Sequence, residues 1–185
     1  MRLLVAALEA ELVAFPAELP GFVRLITGPG KLQATYALTR ALDASDYEEV
    51  LVVGTGGAID PLLGDGVHEI SGAVQHDVTD IDGVVGQHVS LPRRVEIAAG
   101  GVVIATGDHF VDDAEAVEVI RPLGASMVDM ETYAYIWVAE RFGVPIRVLK
   151  SVSDRAQDDA ITDWRGTVAA CSAQLRERVR EIYDV

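Results

Sequence analysis

Three short segments carry side chains suited to acid–base chemistry. Glu9 and Glu11 follow the first apolar run, in ALEAEL; Asp129, Met130 and Glu131 open a long apolar stretch, in VDMETYAYIWV; Ser153 and Asp154 end another apolar run, in KSVSDRA. Each lies where a strand should give way to a turn or helix, which is where layered α/β sheets present groups to a ligand. Each also has a plain structural account. Acidic residues favour a helix N-terminus by a few tenths of a kcal/mol to about 1 kcal/mol, and Asp or Ser at a strand end can cap the next helix. In a dry crevice the same groups acquire chemistry. Desolvation raises the pKa of a carboxyl until it can donate a proton, while a second carboxylate in a different setting acts as base. Either Glu9 or Glu11 can supply that base. Glu131 can accept from the hydroxyls of a bound sugar, and Met130 can pack against an apolar sugar face.

Other motifs narrow the chemistry. In LVVGTGGAID, Gly54, Gly56 and Gly57 follow an apolar strand and let a ligand approach the backbone, with the Thr55 hydroxyl beside it. The stretch GPGK at Gly28 to Lys31 lacks the first glycine and the Ser or Thr of a phosphate loop, so it reads as a turn joining strand to helix. His68, His76, His88 and His109 have no ligand spacing and read as structural or surface residues; no metal site and no cofactor are expected. There is no GxSxG elbow. The single Cys171 reads as a small buried hydrophobe.

These groups need a scaffold. Short β-branched runs alternate with helical patterns, which predicts an α/β domain whose sheet is covered by helices. Strands are expected at Arg2 to Ala6, Phe22 to Thr27, Val50 to Gly54, Val102 to Thr106 and Ile146 to Val152, with a short strand before Asp129. A helix over Lys31 to Leu42 is expected to carry Leu32, Thr35, Tyr36, Thr39 and Leu42 at helical spacing. Another, Glu131 to Phe142, is apolar on most faces and should be buried; Gly143 and Pro145 stop it. The last helix is expected to start with Asp163 as N-cap and to carry Val168, Ser172, Leu175, Val179 and Ile182 on one side. Residues 75–95 are more polar and read as a hairpin or a loop covering a site.

With 185 residues and 50% hydrophobic content, the whole of 1–185 is expected to form one domain. A formal charge of −14 disfavours nucleic acid and anionic membrane surfaces as partners. The start MRLLVAALEA, interrupted by Glu9 and Glu11, does not read as a signal peptide, and no run approaches a membrane span. A cytoplasmic setting is expected.

Taken together, ALEAEL, GPGKLQAT, VVGTGGAID, TGDHFVDD, VDMETYAYIWVAERFGVPIRVLK and SVSDRA resemble, in order and spacing, the purine nucleoside phosphorylase and nucleosidase superfamily. The likeness is strongest to methylthioadenosine/S-adenosylhomocysteine nucleosidases and the related futalosine hydrolases. It implies a three-layer α-β-α fold with a central mixed twisted sheet flanked by helices. It also implies hydrolysis of the N-glycosidic bond of an adenine nucleoside, without cofactor. On that likeness Asp154 is the acid near N7 of the purine, oriented by Ser153, and Glu11 activates water. Met130 and Glu131 hold the ribose, Thr55 and Gly56 lie beside the sugar, and Phe110 and Val111 stack on the base and recognise its edge. Lys150 stands where relatives often have arginine. Relatives build part of the pocket from a neighbouring subunit, so a homodimer is expected. A phosphate-dependent phosphorylase, a futalosine-type hydrolase and a noncatalytic nucleoside sensor are the alternatives.

Overall fold

The computed structural model describes residues 1–157 and 160–185. Its strands are β1 (Arg2–Ala6), β2 (Phe22–Ile26), β3 (Val50–Ala58), β4 (Val67–Gln75), β5 (Arg94–Glu96), β6 (Val102–Thr106), β7 (Met127–Asp129) and β8 (Ile146–Asp154). The helices are α1 (Lys31–Ala44), α2 (Ala114–Ile120), α3 (Thr132–Phe142) and α4 (Ala160–Tyr183). All eight strands join one mixed sheet flanked by helices, the architecture expected from the sequence.

Successive residues of a strand face opposite ways, and β1 shows both faces in use. Leu3 and Val5 enter a core with Ala34, Leu38 and Leu42 of α1 and with Tyr133 to Val138 of α3, whereas Leu4 and Ala6 enter another with Leu175 and Val179 of α4. Coverage on both sides explains why β1 and β3 read as nearly continuous apolar runs.

The pairing also closes on itself. β8 runs parallel to β3 and antiparallel to β4; β4 runs parallel to β6, β6 parallel to β7, and β7 antiparallel to the end of β3. These five strands form a ring, while β1 and β2 extend the sheet from the first half of the β3 edge that β7 joins further along.

Several expectations change. β3 does not end at Gly54 but continues through Thr55, Gly56 and Gly57 to Ala58, with all nine residues buried. The glycines are there because β7 and β8 press on them: a Cβ on Gly56 would lie 2.9 Å from the Val128 carbonyl oxygen, and one on Gly57 2.8 Å from Asp154 Oδ1. Helix α1 buries Ala34, Leu38 and Leu42, while Leu32 and Tyr36 stand 82% and 67% exposed. The stripe that meets the sheet is thus set two residues along from the one anchored on Leu32. Asp163 lies within the first turn of α4, which already includes Ala160, so it is not the N-cap. The polar stretch 75–95 is mostly irregular, pinned by a single Thr79–Val85 bridge, and leads into β5. Helix α3 does stop at Gly143, in the left-handed conformation. Among the described residues, no helix is long and apolar enough to cross a membrane.

Leu175 is fully buried where α4 meets Leu4, Leu51 and Leu149. Leu175→Ala should cost about 2–5 kcal/mol of unfolding free energy, measured as a lower midpoint in urea; a change below about 1 kcal/mol would contradict this packing.

Candidate active site

Beyond the end of β1 a short 3₁₀ turn, Glu9–Leu12, separates the two acidic candidates. Glu9 is exposed, whereas Glu11 is 4% exposed and faces inward. Its Oε2 accepts from the backbone N–H groups of Ala7 and Leu8, both at 3.1 Å. Its Oε1 accepts from the Thr55 N–H at 2.8 Å and the Thr55 hydroxyl at 3.0 Å. The structure therefore selects Glu11 as the carboxylate at this edge.

At the end of β8 the register slips. Gly56 pairs with Val152 but Gly57 pairs with Asp154, leaving Ser153 unopposed as a bulge. A bulge re-aims side chains, and here two consecutive residues, Ser153 and Asp154, face the same cavity. Asp154 Oδ2 accepts from the Ser153 hydroxyl at 2.7 Å and Oδ1 from the Ala156 N–H at 2.9 Å. Burial pushes the Asp154 pKa up, outweighing the lowering by these two bonds. Its surroundings thus favour the protonated acid more than those of an ordinary surface aspartate do.

The third carboxylate group divides its labour. Asp129 caps α3, accepting from the Thr132 N–H and hydroxyl, and also accepts from the Thr106 hydroxyl at 2.7 Å. Its Oδ2 pairs with Lys150 Nζ at 2.9 Å, with both side chains almost fully buried. Glu131, by contrast, takes no part in capping; its Oε1 accepts the Gly30 N–H at 2.9 Å. Burial would raise the Asp129 pKa, but Lys150 and the two threonine hydroxyls bring it below the usual value. Burial would lower Lys150, but Asp129, Glu131 and Glu11 together raise it. Glu131 is pushed up to about 7 by burial, with Asp129 and Glu11 adding to the rise against the pull of Lys150.

Glu11, Thr55, Gly56, Phe110, Val111, Met130, Glu131, Ser153 and Asp154 all line one cavity of about 190 Å³. These nine candidates are therefore brought together, while Glu9, the alternative to Glu11, stays outside the cavity. Two readings change. His109 lines the cavity rather than lying apart from it, and its ring meets the buried His76 edge-on at 5.4 Å between centroids. Gly28 to Lys31 is a turn, but a working one: Pro29 is on the cavity wall, and the N–H groups of Gly30 and Lys31 hold Glu131 and Asp108. Sequence reasoning missed Trp164, which lines the cavity and donates to the Thr55 hydroxyl at 2.9 Å. The signal was available, since Trp164 extends the Val168, Ser172, Leu175 stripe of α4 back by one turn. Among the described residues lining the cavity are four carboxylates and no lysine or arginine.

Comparison with known proteins identifies the family. The model of the phosphorylase superfamily matches residues 86–184. The 5′-methylthioadenosine/S-adenosylhomocysteine nucleosidase of Marinomonas sp. (strain MWYL1) is 31% identical over 157 residues, which is 72% of this chain and 68% of the relative. The enzyme of the same name from Geobacillus thermodenitrificans (strain NG80-2) is 31% identical over 179 residues, 83% of this chain and 76% of the relative. In fold, the futalosine hydrolase of Helicobacter pylori strain 26695 superposes with a TM-score of 0.88 at 22% identity, covering 99% of this chain and 97% of that one. The chain belongs to the phosphorylase superfamily, and within it to the nucleosidases that these sequence relatives represent.

Glu131 links the site to pH. A carboxyl raised from 4.5 to about 7 on folding binds its proton in the folded chain through a window where the unfolded chain has released it. Its contribution to stability is therefore largest at low pH and is lost as pH rises through about 7. Glu131→Gln, which cannot ionise, should melt higher than the parent at pH 8, with the gap shrinking towards pH 5. A gap independent of pH in thermal melts would contradict the burial of this carboxyl.

Proposed function

We propose that the chain hydrolyses the N-glycosidic bond of an adenine nucleoside such as 5′-methylthioadenosine or S-adenosylhomocysteine, with residues 1–185 acting as one unit. The observation that carries this reading is a single cavity walled by Asp154, whose pKa burial raises, and by Glu11, held on both oxygens by N–H and O–H donors. Asp154 gives its proton to N7 of the purine, so the base leaves C1′ without full negative charge. Positive charge then develops on the ribose, and Glu131, once ionised above its raised pKa of about 7, both accepts from the ribose hydroxyls and stabilises that charge. Glu11 takes a proton from the water that attacks C1′. One proton passes from Asp154 to the base and one from water to Glu11; release of the Glu11 proton to solvent and uptake of one by Asp154 reset both, so the balance is the addition of water across the C1′–N9 bond. Ser153 orients Asp154, Met130 packs on the sugar, and Phe110 and Val111 hold the base, with Thr55 and Gly56 beside the ribose.

Phosphorolysis is the main rival. It needs cations converging on the attacking phosphate, and the described cavity lining offers carboxylates instead. Free base should be released at the same rate with and without phosphate, and Asp154→Asn should lower turnover by about 100-fold or more while still binding nucleoside. Strict phosphate dependence, or an Asp154→Asn variant of normal rate, would overturn the assignment. A panel of methylthioadenosine, S-adenosylhomocysteine, aminodeoxyfutalosine, adenosine and inosine ranks the substrates and separates the futalosine-type alternative. Binding without turnover across the panel would favour the sensor.

A homodimer and a cytoplasmic setting belong to the same reading. Leu32 and Tyr36 stand exposed on α1, and Leu32 lines a second cavity of about 290 Å³ with Thr35, Leu91, Tyr133 and Trp137. A second copy of the chain covering this apolar face accounts for its composition. Sedimentation at working concentration should give twice the chain mass; a monomer would argue against this occupant.

A further inference from the structure

Trp164 has no step in the chemistry assigned above, yet it is bonded into it. Its indole N–H donates to Thr55 Oγ1 at 2.9 Å, and the Thr55 hydroxyl donates to Glu11 Oε1 at 3.0 Å. An indole nitrogen only donates, and a hydroxyl has a single proton. With Trp164 occupying one lone pair of Thr55 Oγ1, the threonine proton is directed to the carboxylate and is not free to turn towards a ligand. Thr55 then keeps only a lone pair to offer a sugar hydroxyl.

We infer that Trp164 is a positioning residue for hydrolysis, acting through Thr55: its donor-only indole points the Thr55 hydroxyl at Glu11 and holds that carboxylate in the orientation from which it takes the proton of water. The inference rests on the hydrolytic reading of the site and deepens it. Four donors hold Glu11, two of them fixed by the backbone at Ala7 and Leu8 and one by the Thr55 N–H in β3. The fourth is the Thr55 hydroxyl, which alone among them can rotate, and it is this one that Trp164 restrains. The ring's other task, forming the cavity wall beside Ile161, needs area but no N–H. Phenylalanine performs that second task alone, so the two roles can be separated.

The test compares Trp164→Phe, Thr55→Val and the double variant with the parent chain. Trp164→Phe should lower kcat about five- to tenfold, the scale of one hydrogen bond, with KM within about twofold. Its affinity for an adenine C-nucleoside, whose carbon–carbon glycosidic bond resists hydrolysis, should match the parent's and so report an intact pocket. The double variant should be no slower than Thr55→Val alone, because the indole then has no hydroxyl to direct. Multiplying losses in the double variant, a parental kcat in Trp164→Phe, or a loss of C-nucleoside affinity as large as the loss of kcat/KM would overturn the proposal. Glu11→Gln separates the layers: if it turns over normally, the hydrolytic role of Glu11 fails and the proposal with it. If it is slow while Trp164→Phe is normal, only the role of Trp164 fails.

Discussion

The buried pair of Lys150 and Asp129 is the interaction on which the rest of the site depends. Three acidic residues, Glu11, Asp129 and Glu131, surround one buried lysine; Lys150 Nζ and Glu11 Oε1 both lie within about 3 Å of where a Gly54 side chain would begin. Removing one partner of such a pair leaves an uncompensated charge, typically costing about 3–5 kcal/mol. The pair also joins separate parts of the chain. Lys150 comes from β8, Asp129 from the end of β7, and Asp129 additionally holds the start of α3 and Thr106 of β6. Because Asp129 does the capping, Glu131 is released to face the cavity.

Around that pair, backbone irregularity does the aiming. A regular β8 would send Ser153 and Asp154 to opposite faces; the bulge against β3 sends both to the cavity. The glycines of β3 make room for it, since a side chain at Gly57 would collide with Asp154. Glycine weakens a strand through lost entropy and packing, and here that cost is offset by burial of the whole strand between neighbours on both edges.

Legibility in the sequence followed how local the cause was. β1 and β6 were readable to the residue because their apolar runs end abruptly. Asp129, Glu131 and Asp154 were readable as a cavity set because each sits at an element boundary. The second half of β3 was not, since glycines that look like a turn are explained only by the close approach of β7 and β8. β4 was missed for a related reason: VHEISGAVQ mixes polar residues, a glycine and apolar ones, and its place between β8 and β6 is a long-range fact. The choice between Glu9 and Glu11 needed the 3₁₀ turn. The outward placement of Leu32 and Tyr36 needed the sheet that α1 packs on.

The ring of five strands carries a kinetic consequence. Its closing pair joins Val50 to Ile146, β3 to β8, across about half of the chain. Contacts so distant in sequence raise the contact order and slow folding, because loop-closure entropy must be lost before the pairing can offset it. The bulge at Ser153 belongs to that pairing, and Lys150, which meets Asp129 of β7, is carried by the same strand β8. The bulge that turns Ser153 and Asp154 to one cavity exists only once β8 lies against β3, so the cavity is completed only after that long-range pairing has formed.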